Sequence, residues 1–168
     1  MSNARNLARL LPNASGQLPP ANVQKLLNSN MASGSVIQIA TAVNTTEVTV
    51  ADNTQAVLLS LNFTPAYSNS LILMMVYCGQ IKKHVGGANW GGLSVIDTTA
   101  GYAPLSCGAL TYPQSEYDTR IVVHEHTVIN SWSGTRTFQV KGAAAGGNIF
   151  SYSFQGNETR LTMMEIAA

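Results

Sequence analysis

Apolar and polar residues alternate along most of this chain, beginning near residue 35. In the stretch SVIQIATAV the period is two residues, which is the period of a β-strand whose successive side chains point to opposite faces of a sheet. Similar short stretches follow, separated by turn sequences such as ADNT, NSWSGT and AAAGG. The pattern predicts strands over residues 35–43, 46–50, 56–63, 70–80, 93–98, 106–112, 119–129, 136–142, 148–155 and 159–167.

This succession of short strands indicates a mainly β fold. Turn signals recur about every ten residues, a spacing typical of antiparallel sandwiches. No stretch with helical periodicity separates the strands, as a parallel sheet with crossover helices would require. Eight strands in two sheets is the number found in jelly rolls. We therefore expect residues 35–168 to form an antiparallel, jelly-roll-like β-sandwich.

The most apolar segment of the chain is SLILMMVYC, at residues 70–78. A membrane-spanning helix needs about 20 apolar residues, so this segment is too short to span a bilayer. Its length and nearly continuous apolar character are typical of a strand that is buried on both faces. We therefore expect no membrane insertion and a strand that is buried on both faces.

The first 34 residues have a different composition, rich in Asn, Ser, Pro and Leu. A short helical pattern covers residues 4–11 and ends at Pro12, with three leucines on one face. Two helical turns are marginal alone, because helices of this length depend on packing against a partner. We predict that residues 1–34 are an extended attachment arm and linker. The residues expected to make its contacts are Arg5, Leu7, Arg9, Leu10, Leu11 and Leu18.

The chain has 168 residues, a net charge of +1 and only 10% charged residues. Ordinary soluble domains contain about 25% charged residues, so copies of this chain repel one another weakly. The near-neutral balance lacks the basic stripe of nucleic-acid-binding proteins, and we expect no nucleic acid partner. The apolar run in the arm is interrupted by Arg9 and is too short for a secretory signal, which favours synthesis in a cytoplasm.

The motif HEH is the sharpest candidate for chemistry. On a strand, His124 and His126 point to one face and Glu125 to the other. Two imidazoles in this arrangement can bind one metal ion if a neighbouring strand adds a third ligand, as in the cupin family of jelly-roll metalloenzymes. The remaining histidine, His84, lies in the predicted loop KKHVGG. The simpler interpretation is two half-exposed strand residues, so we expect neither a metal nor any other cofactor.

Other catalytic patterns are not supported by the sequence. The nucleophile elbow GxSxG of hydrolases is missing, and GGANWGG does not end in the GK[ST] of a phosphate-binding loop. Cys78 and Cys107 stand among apolar or small residues without CxxC spacing, which is typical of buried thiols, although their pairing is left open. We therefore expect a protein that is not an enzyme.

Four aromatic residues are candidates for surface contacts. Trp90 lies in the predicted glycine loop at 86–92, and three tyrosines lie in a long segment at 99–118. Aromatic residues are enriched at interfaces, so these side chains can contact a partner protein or a host surface glycan, as in a carbohydrate-binding module. Inward packing is the alternative for each of them. The four residues are Trp90, Tyr102, Tyr112 and Tyr117.

Both ends of the chain resemble known phage proteins. The opening stretch MSNARNLARLLPNASGQLPPANV resembles the N-terminal attachment segments of bacteriophage tail-fibre-like proteins. The stretches SVIQIATAVNTTEVTV, FTPAYSNSLILMMV and TRLTMMEIAA resemble a β-sandwich module that is frequent in phages of aquatic bacteria. The resemblance does not extend over the middle of the chain, from residue 79 to residue 148.

This resemblance implies a virion structural protein that forms a homotrimer with no catalytic residues. One arrangement is a short fibre or spike, attached through the arm to a tail adaptor and exposing the sandwich. The other is a capsid decoration, or cement, protein whose jelly-roll trimers brace the major capsid protein. A cupin-like metal enzyme that uses His124 and His126 is the remaining alternative.

Overall fold

The fold is known from a computed structural model, which describes residues 32–84, 90–111 and 120–168 and, for residues 90, 108–111 and 120, the backbone alone. The strands in this part of the chain form two antiparallel sheets. The first sheet consists of β1 (Val36–Asn44), β2 (Val48–Val50), β4 (Leu71–Lys83), β7 (Arg120–Asn130), β9 (Phe150–Tyr152) and β10 (Thr159–Ile166). The second sheet consists of β3 (Thr54–Phe63), β5 (Trp90–Asp97), β6 (Tyr102–Thr111) and β8 (Arg136–Ala144).

The strand order is that of a jelly roll. In the first sheet, β4 pairs with β7 on one side and with β10, then β9, on the other. β1 pairs with β10, and β2 pairs with β9. β1 and β2 therefore form one interrupted strand position, and β9 and β10 form another. Counted as eight positions along the chain, the two sheets have the orders 1-8-3-6 and 2-7-4-5. The predicted antiparallel, jelly-roll-like β-sandwich is confirmed.

The core lies between the two sheets and is formed by alternate residues of the central strands. Ile72, Met74 and Val76 of β4 point inward and are fully buried. Phe138 and Val140 of β8 are fully buried on the facing sheet. The side-chain period of two makes this possible, because every second residue of each strand reaches the same layer.

Tyr152 of β9 links the two sheets across the core. Its hydroxyl group lies within hydrogen-bond distance of two carbonyl oxygens, that of Ala143 at 2.6 Å and that of Gly92 at 2.7 Å, and can donate to either. The same hydroxyl group accepts a hydrogen bond of 3.1 Å from the Ala143 amide. The ring lies directly on Gly142 of β8, where an added Cβ atom would be 2.5 Å from ring atom Cε2. Gly142 is therefore required by the close approach of an aromatic ring to the backbone.

A second buried polar cluster closes one end of the sandwich. The carboxylate of Asp97 accepts hydrogen bonds from the backbone amides of Thr99 and Ala100 and from Arg136 at 3.0 Å. The guanidinium group of Arg136 also lies 5.0 Å from the ring of Trp132. These contacts hold the turn after β5 against the start of β8, because a buried carboxylate needs several donors.

Every predicted strand corresponds to a strand of the structure, with changed limits. β5 begins at Trp90, so the predicted glycine loop at 86–92 already contains strand residues. β6 begins at Tyr102 instead of residue 106. Both extensions are made by pairing between β5 and β6, which outweighs the Gly and Pro content of the segments. The predicted strand 148–155 is cut to Phe150–Tyr152, because Ser153 is left-handed, with φ of 53°.

Residues 1–31 of the predicted arm, which include all of its proposed contact residues, lie outside the described residues, and the boundary at residue 34 stays a prediction. Of the part that the structure describes, no helix is long and apolar enough to cross a membrane.

Replacing Gly142 with Ala is expected to lower the free energy of unfolding by about 1–3 kcal/mol, the usual range for overpacking a core. The new methyl group has to displace the Tyr152 ring, which is held by its hydroxyl contacts. Thermal and urea unfolding of the variant measure the loss. Ser94→Ala, on the outer side of the same sheet, is the control and should change stability by less than about 0.5 kcal/mol. Equal stability of Gly142→Ala and the unmodified protein would contradict this account.

Candidate interaction surface

The outer side of the first sheet presents a continuous surface that we call the apolar face. Directly opposite residues of antiparallel strands point to the same side of a sheet, so the register defines this face. Its two apolar rows consist of Val36, Ile166, Leu71 and Asn130, then Ile39, Met164, Leu73 and Val128. Its two mixed rows consist of Thr41, Thr162, Met75 and His126, then Val43, Arg160, Tyr77 and His124.

Several large side chains on this face are open to solvent. The exposed fraction is 56% for Ile39 and 53% for Val128, at opposite edges of the sheet. Of the eight exposed large hydrophobic residues in the described part of the chain, six belong to this side. They are Val36, Ile39, Val43, Leu71, Val122 and Val128.

The outer side of the second sheet has the opposite character. Its central strand β8 presents Thr137, Gln139 and Lys141 on this side. The neighbouring strand β5 presents Ser94 and Ile96, and of these five residues only the partly buried Ile96 is apolar. Val57 is an isolated exposed hydrophobic residue on this side. The sandwich therefore has one polar outer side and one apolar outer side, although both enclose the same core.

The mixed end of the apolar face contains a shallow open depression of about 360 Å³. Tyr77 and His124 form one part of its lining, with their rings 6.2 Å apart and nearly perpendicular. Arg160 lines another part and pairs with Glu158 at 2.7 Å. The depression thus combines aromatic rings with polar groups. The charges of Arg160 and Glu158 in its lining cancel each other.

The structure places the HEH motif as the alternation predicted. His124 and His126 lie on the apolar face, opposite Tyr77 and Met75 of β4. His84 follows β4 and shares a hydrogen bond of 2.7 Å with the Ser151 hydroxyl group. Within residues 32–84, 90–111 and 120–168, no group of three His, Cys, Asp or Glu side chains is placed to hold a metal ion.

The two cysteines are buried and free, as the interpretation of buried thiols predicted. Burial and, to a smaller extent, the nearby carboxylate of Glu125 raise the pKa of Cys107 to about 11. Cys78 accepts a hydrogen bond from the Thr159 hydroxyl group at 3.2 Å. A thiol with a raised pKa is a poor nucleophile, so Cys107 behaves as a core residue.

The predicted aromatic contact residues have different positions. Tyr102, at the start of β6, is exposed to 43% and remains available for a contact. Trp90 is the first residue of β5, and the structure describes only its backbone. Tyr112 and Tyr117 lie outside the described residues altogether. The structure therefore does not bring these four aromatic side chains together into one described site.

A buried carboxylate fixes one end of the apolar face. Glu165 of β10 is fully buried, and its two oxygens accept four hydrogen bonds, two on each oxygen. The donors are the Gln38 side chain, the amides of Ala66 and Tyr67, and the Ser70 hydroxyl group. β1, β10 and the start of β4 are thereby held in one arrangement, which aligns the two apolar rows.

The apolar face was not among the predicted sites. The segment 70–78 was expected to be buried on both faces, but the structure buries only alternate residues of β4. Leu71 is exposed, and Leu73, Met75 and Tyr77 are only partly covered. The signal in the sequence was therefore the two-sided apolar character itself, which exceeds what one sandwich interior can bury.

No protein-family model matches this chain, and no curated protein matches its sequence. Similar solved structures include the VP2 subviral particle of infectious bursal disease virus, with a TM-score of 0.47 and 10% identity over 81% of this chain and 34% of that chain. VP2 in T=1 particles of the same virus has a TM-score of 0.46 and 11% identity, over 82% of this chain and 37% of that chain. The chain thus spans little more than a third of these VP2 chains.

Proteins of other kinds are similar at lower scores. Dimeric latent PorU from Porphyromonas gingivalis has a TM-score of 0.38 and 9% identity, over 82% of this chain and 14% of that one. A chain of the Bacillus endospore appendages has a TM-score of 0.31 and 11% identity, over 83% of this chain and 97% of that one. At TM-scores this low, we take no function from any of these structures.

Replacing Glu165 with Gln is expected to lower the free energy of unfolding by about 2–3 kcal/mol at neutral pH, because a buried network loses its charged acceptor. Since each carboxylate oxygen accepts two donors, either orientation of the amide sets an NH₂ group against two of them. Chemical unfolding of both proteins measures the difference. Glu158→Gln, which removes an exposed ion pair, should cost less than about 1 kcal/mol.

The contribution of Glu165 should also depend on pH. Burial raises the pKa of this carboxyl group, but the hydrogen bonds from Ala66, Ser70, Gln38 and Tyr67 outweigh burial, so that the pKa lies below its ordinary value. The stabilisation is then complete above the unfolded pKa of about 4.3 and is lost as the pH falls through the lower folded pKa. The stability gap to Glu165→Gln should therefore shrink below about pH 4, and a gap that widens on acidification would contradict this assignment.

Proposed function

We propose that this chain is a non-enzymatic structural protein of a bacteriophage virion. It acts as a short trimeric fibre or spike protein, anchored by residues 1–34 and exposing the sandwich. The observation that supports this best is the unequal pair of outer sides, one polar and one apolar, on a sandwich with 10% charged residues. This distribution is typical of a subunit that contacts a partner through one side and faces solvent with the other.

The resemblance of both chain ends to phage proteins supports the same proposal. The anchoring partner is a tail adaptor in the fibre arrangement, and the exposed sandwich contacts the host. Tyr102 is the described member of the four aromatic residues proposed to contact a host surface glycan.

A capsid decoration protein is the second candidate. The strands of the described residues form one compact sandwich without an elongated repeat, which suits a subunit that lies on a shell. In this arrangement the arm extends along the major capsid protein. A cupin-like enzyme is not favoured, because His124 and His126 have no third metal ligand among the described residues.

Immunogold labelling tests the virion role and separates the two arrangements. Antibody against residues 35–168 is applied to intact particles of the virus that encodes this chain, with pre-immune serum as the control. Gold confined to the tail or the vertices supports the fibre, and gold spread over the head supports the decoration protein. Particles without gold would overturn the virion role.

The anchoring role of the arm is tested by replacing Leu7, Leu10 and Leu11 with Ser together. If these leucines dock on another virion protein, the variant should sediment with particles at least about tenfold less than the unmodified chain, since three buried leucines contribute several kcal/mol. Immunoblots of washed particles measure incorporation. Gln17→Ser, a change of a polar arm residue, should be incorporated normally, and normal incorporation of the triple variant would contradict anchoring by the leucines.

A further inference from the structure

The apolar face of the first sheet needs an occupant, because it exposes large hydrophobic side chains in adjacent rows. A strand pair is spaced at about 4.8 Å and each residue advances about 3.4 Å, so four strands with four facing rows cover about 20 by 20 Å in projection. Protruding side chains make the accessible area larger than this projection. The projected area of about 400 Å² is half of the roughly 800 Å² that each partner contributes to an interface of ordinary size, and the protruding side chains add to it.

The charges on this face favour a neutral partner. Among its sixteen positions, Arg160 is the one Arg, Lys, Asp or Glu, and Glu158 neutralises it at 2.7 Å. Nucleic acids and anionic lipid surfaces require clusters of Lys or Arg, which this face does not have. A second copy of the same face carries the same neutral pair, so that two copies approach without repulsion between net charges.

The shape and composition of the face also suit a second copy. Its central strands, β10 and β4, present Met164, Leu73 and Met75, and methionine side chains adapt to irregular partners. β4 has the two-sided apolar character of a strand that is covered on both sides, and the described residues of one chain leave its second side partly open. Copies of a chain that is so poor in charge meet at equal concentration and have little to keep them apart.

We propose that the apolar face is the surface through which copies of this chain associate. In the homotrimer of the proposed function, on which this inference rests, three such faces meet around one axis. The polar side of the second sheet then remains in water. Association removes Ile39, Val128 and the methionines between them from solvent, which is the driving force.

The test compares three single substitutions in the full-length protein. Ile39→Glu and Val128→Glu place a carboxylate at opposite edges of the apolar face. Both residues are more than half exposed in the single chain, so the charge stays solvated there and the fold is kept. Val57→Glu is the matched control, because Val57 is 45% exposed but lies on the outer side of the second sheet.

Light scattering coupled to size-exclusion chromatography measures the mass at about 50 µM, with thermal unfolding as a check on the fold. We expect the unmodified protein and Val57→Glu to share one mass, three times the 17.8 kDa of the single chain. Ile39→Glu and Val128→Glu should associate at least about 100-fold more weakly, because each buries an unpaired charge.

A single-chain mass for the unmodified protein, including the case in which its own arm covers the face, would overturn the proposal. Unchanged association of both face variants, or equal dissociation of Val57→Glu, would overturn it as well. The virion role is decided separately. Gold-labelled particles together with a monomeric chain would remove the association face alone, whereas an associated chain with no gold on any particle would remove the virion role alone.

Discussion

β4 has apolar side chains on both of its sides, and the interior of a single sandwich can bury only one of them. Ile72, Met74 and Val76 enter the core, while Leu71 and Leu73 point outward between β10 and β7. Burying apolar surface is worth about 25 cal/mol for each Å² removed from water, so the outward rows represent stabilisation that the single chain leaves unused. The rest of the architecture arranges neighbouring strands around this one, and the apolar face is its direct consequence.

Buried polar groups give this arrangement a single geometry. Glu165 joins β1, β10 and the start of β4, and Asp97 joins the turn after β5 to the start of β8 through Arg136. Tyr152 ties its own sheet to the opposite one above Gly142. Hydrophobic contacts alone tolerate slippage between strands, whereas each of these groups loses its partners if the register shifts. The apolar face outside depends on this polar framework inside.

The strands could be predicted because their signals are local: a side-chain period of two and turn residues between the segments. For the same reason the histidines of HEH were correctly placed on one face. The limits of β5 and β6 were missed because cross-strand pairing extends both strands into segments rich in Gly and Pro. The candidate surface was missed because Ile39, Leu73 and Val128 come from three strands that are distant in sequence and meet only through the strand order.

The sequence by itself determined a mainly β chain, an antiparallel sandwich, two buried thiols and a scarcity of charge. These properties follow from composition and from patterns that span a few residues. The tertiary structure decided which apolar residues enter the core and which collect on one outer side, because that choice depends on which strands become neighbours. It also decided that Glu165 is buried among four donors, since those donors come from residue 38 and residues 66–70, two segments that are far from Glu165 in the sequence. A pattern within one strand shows that two faces exist, and only the packed fold shows which of them is left for a partner.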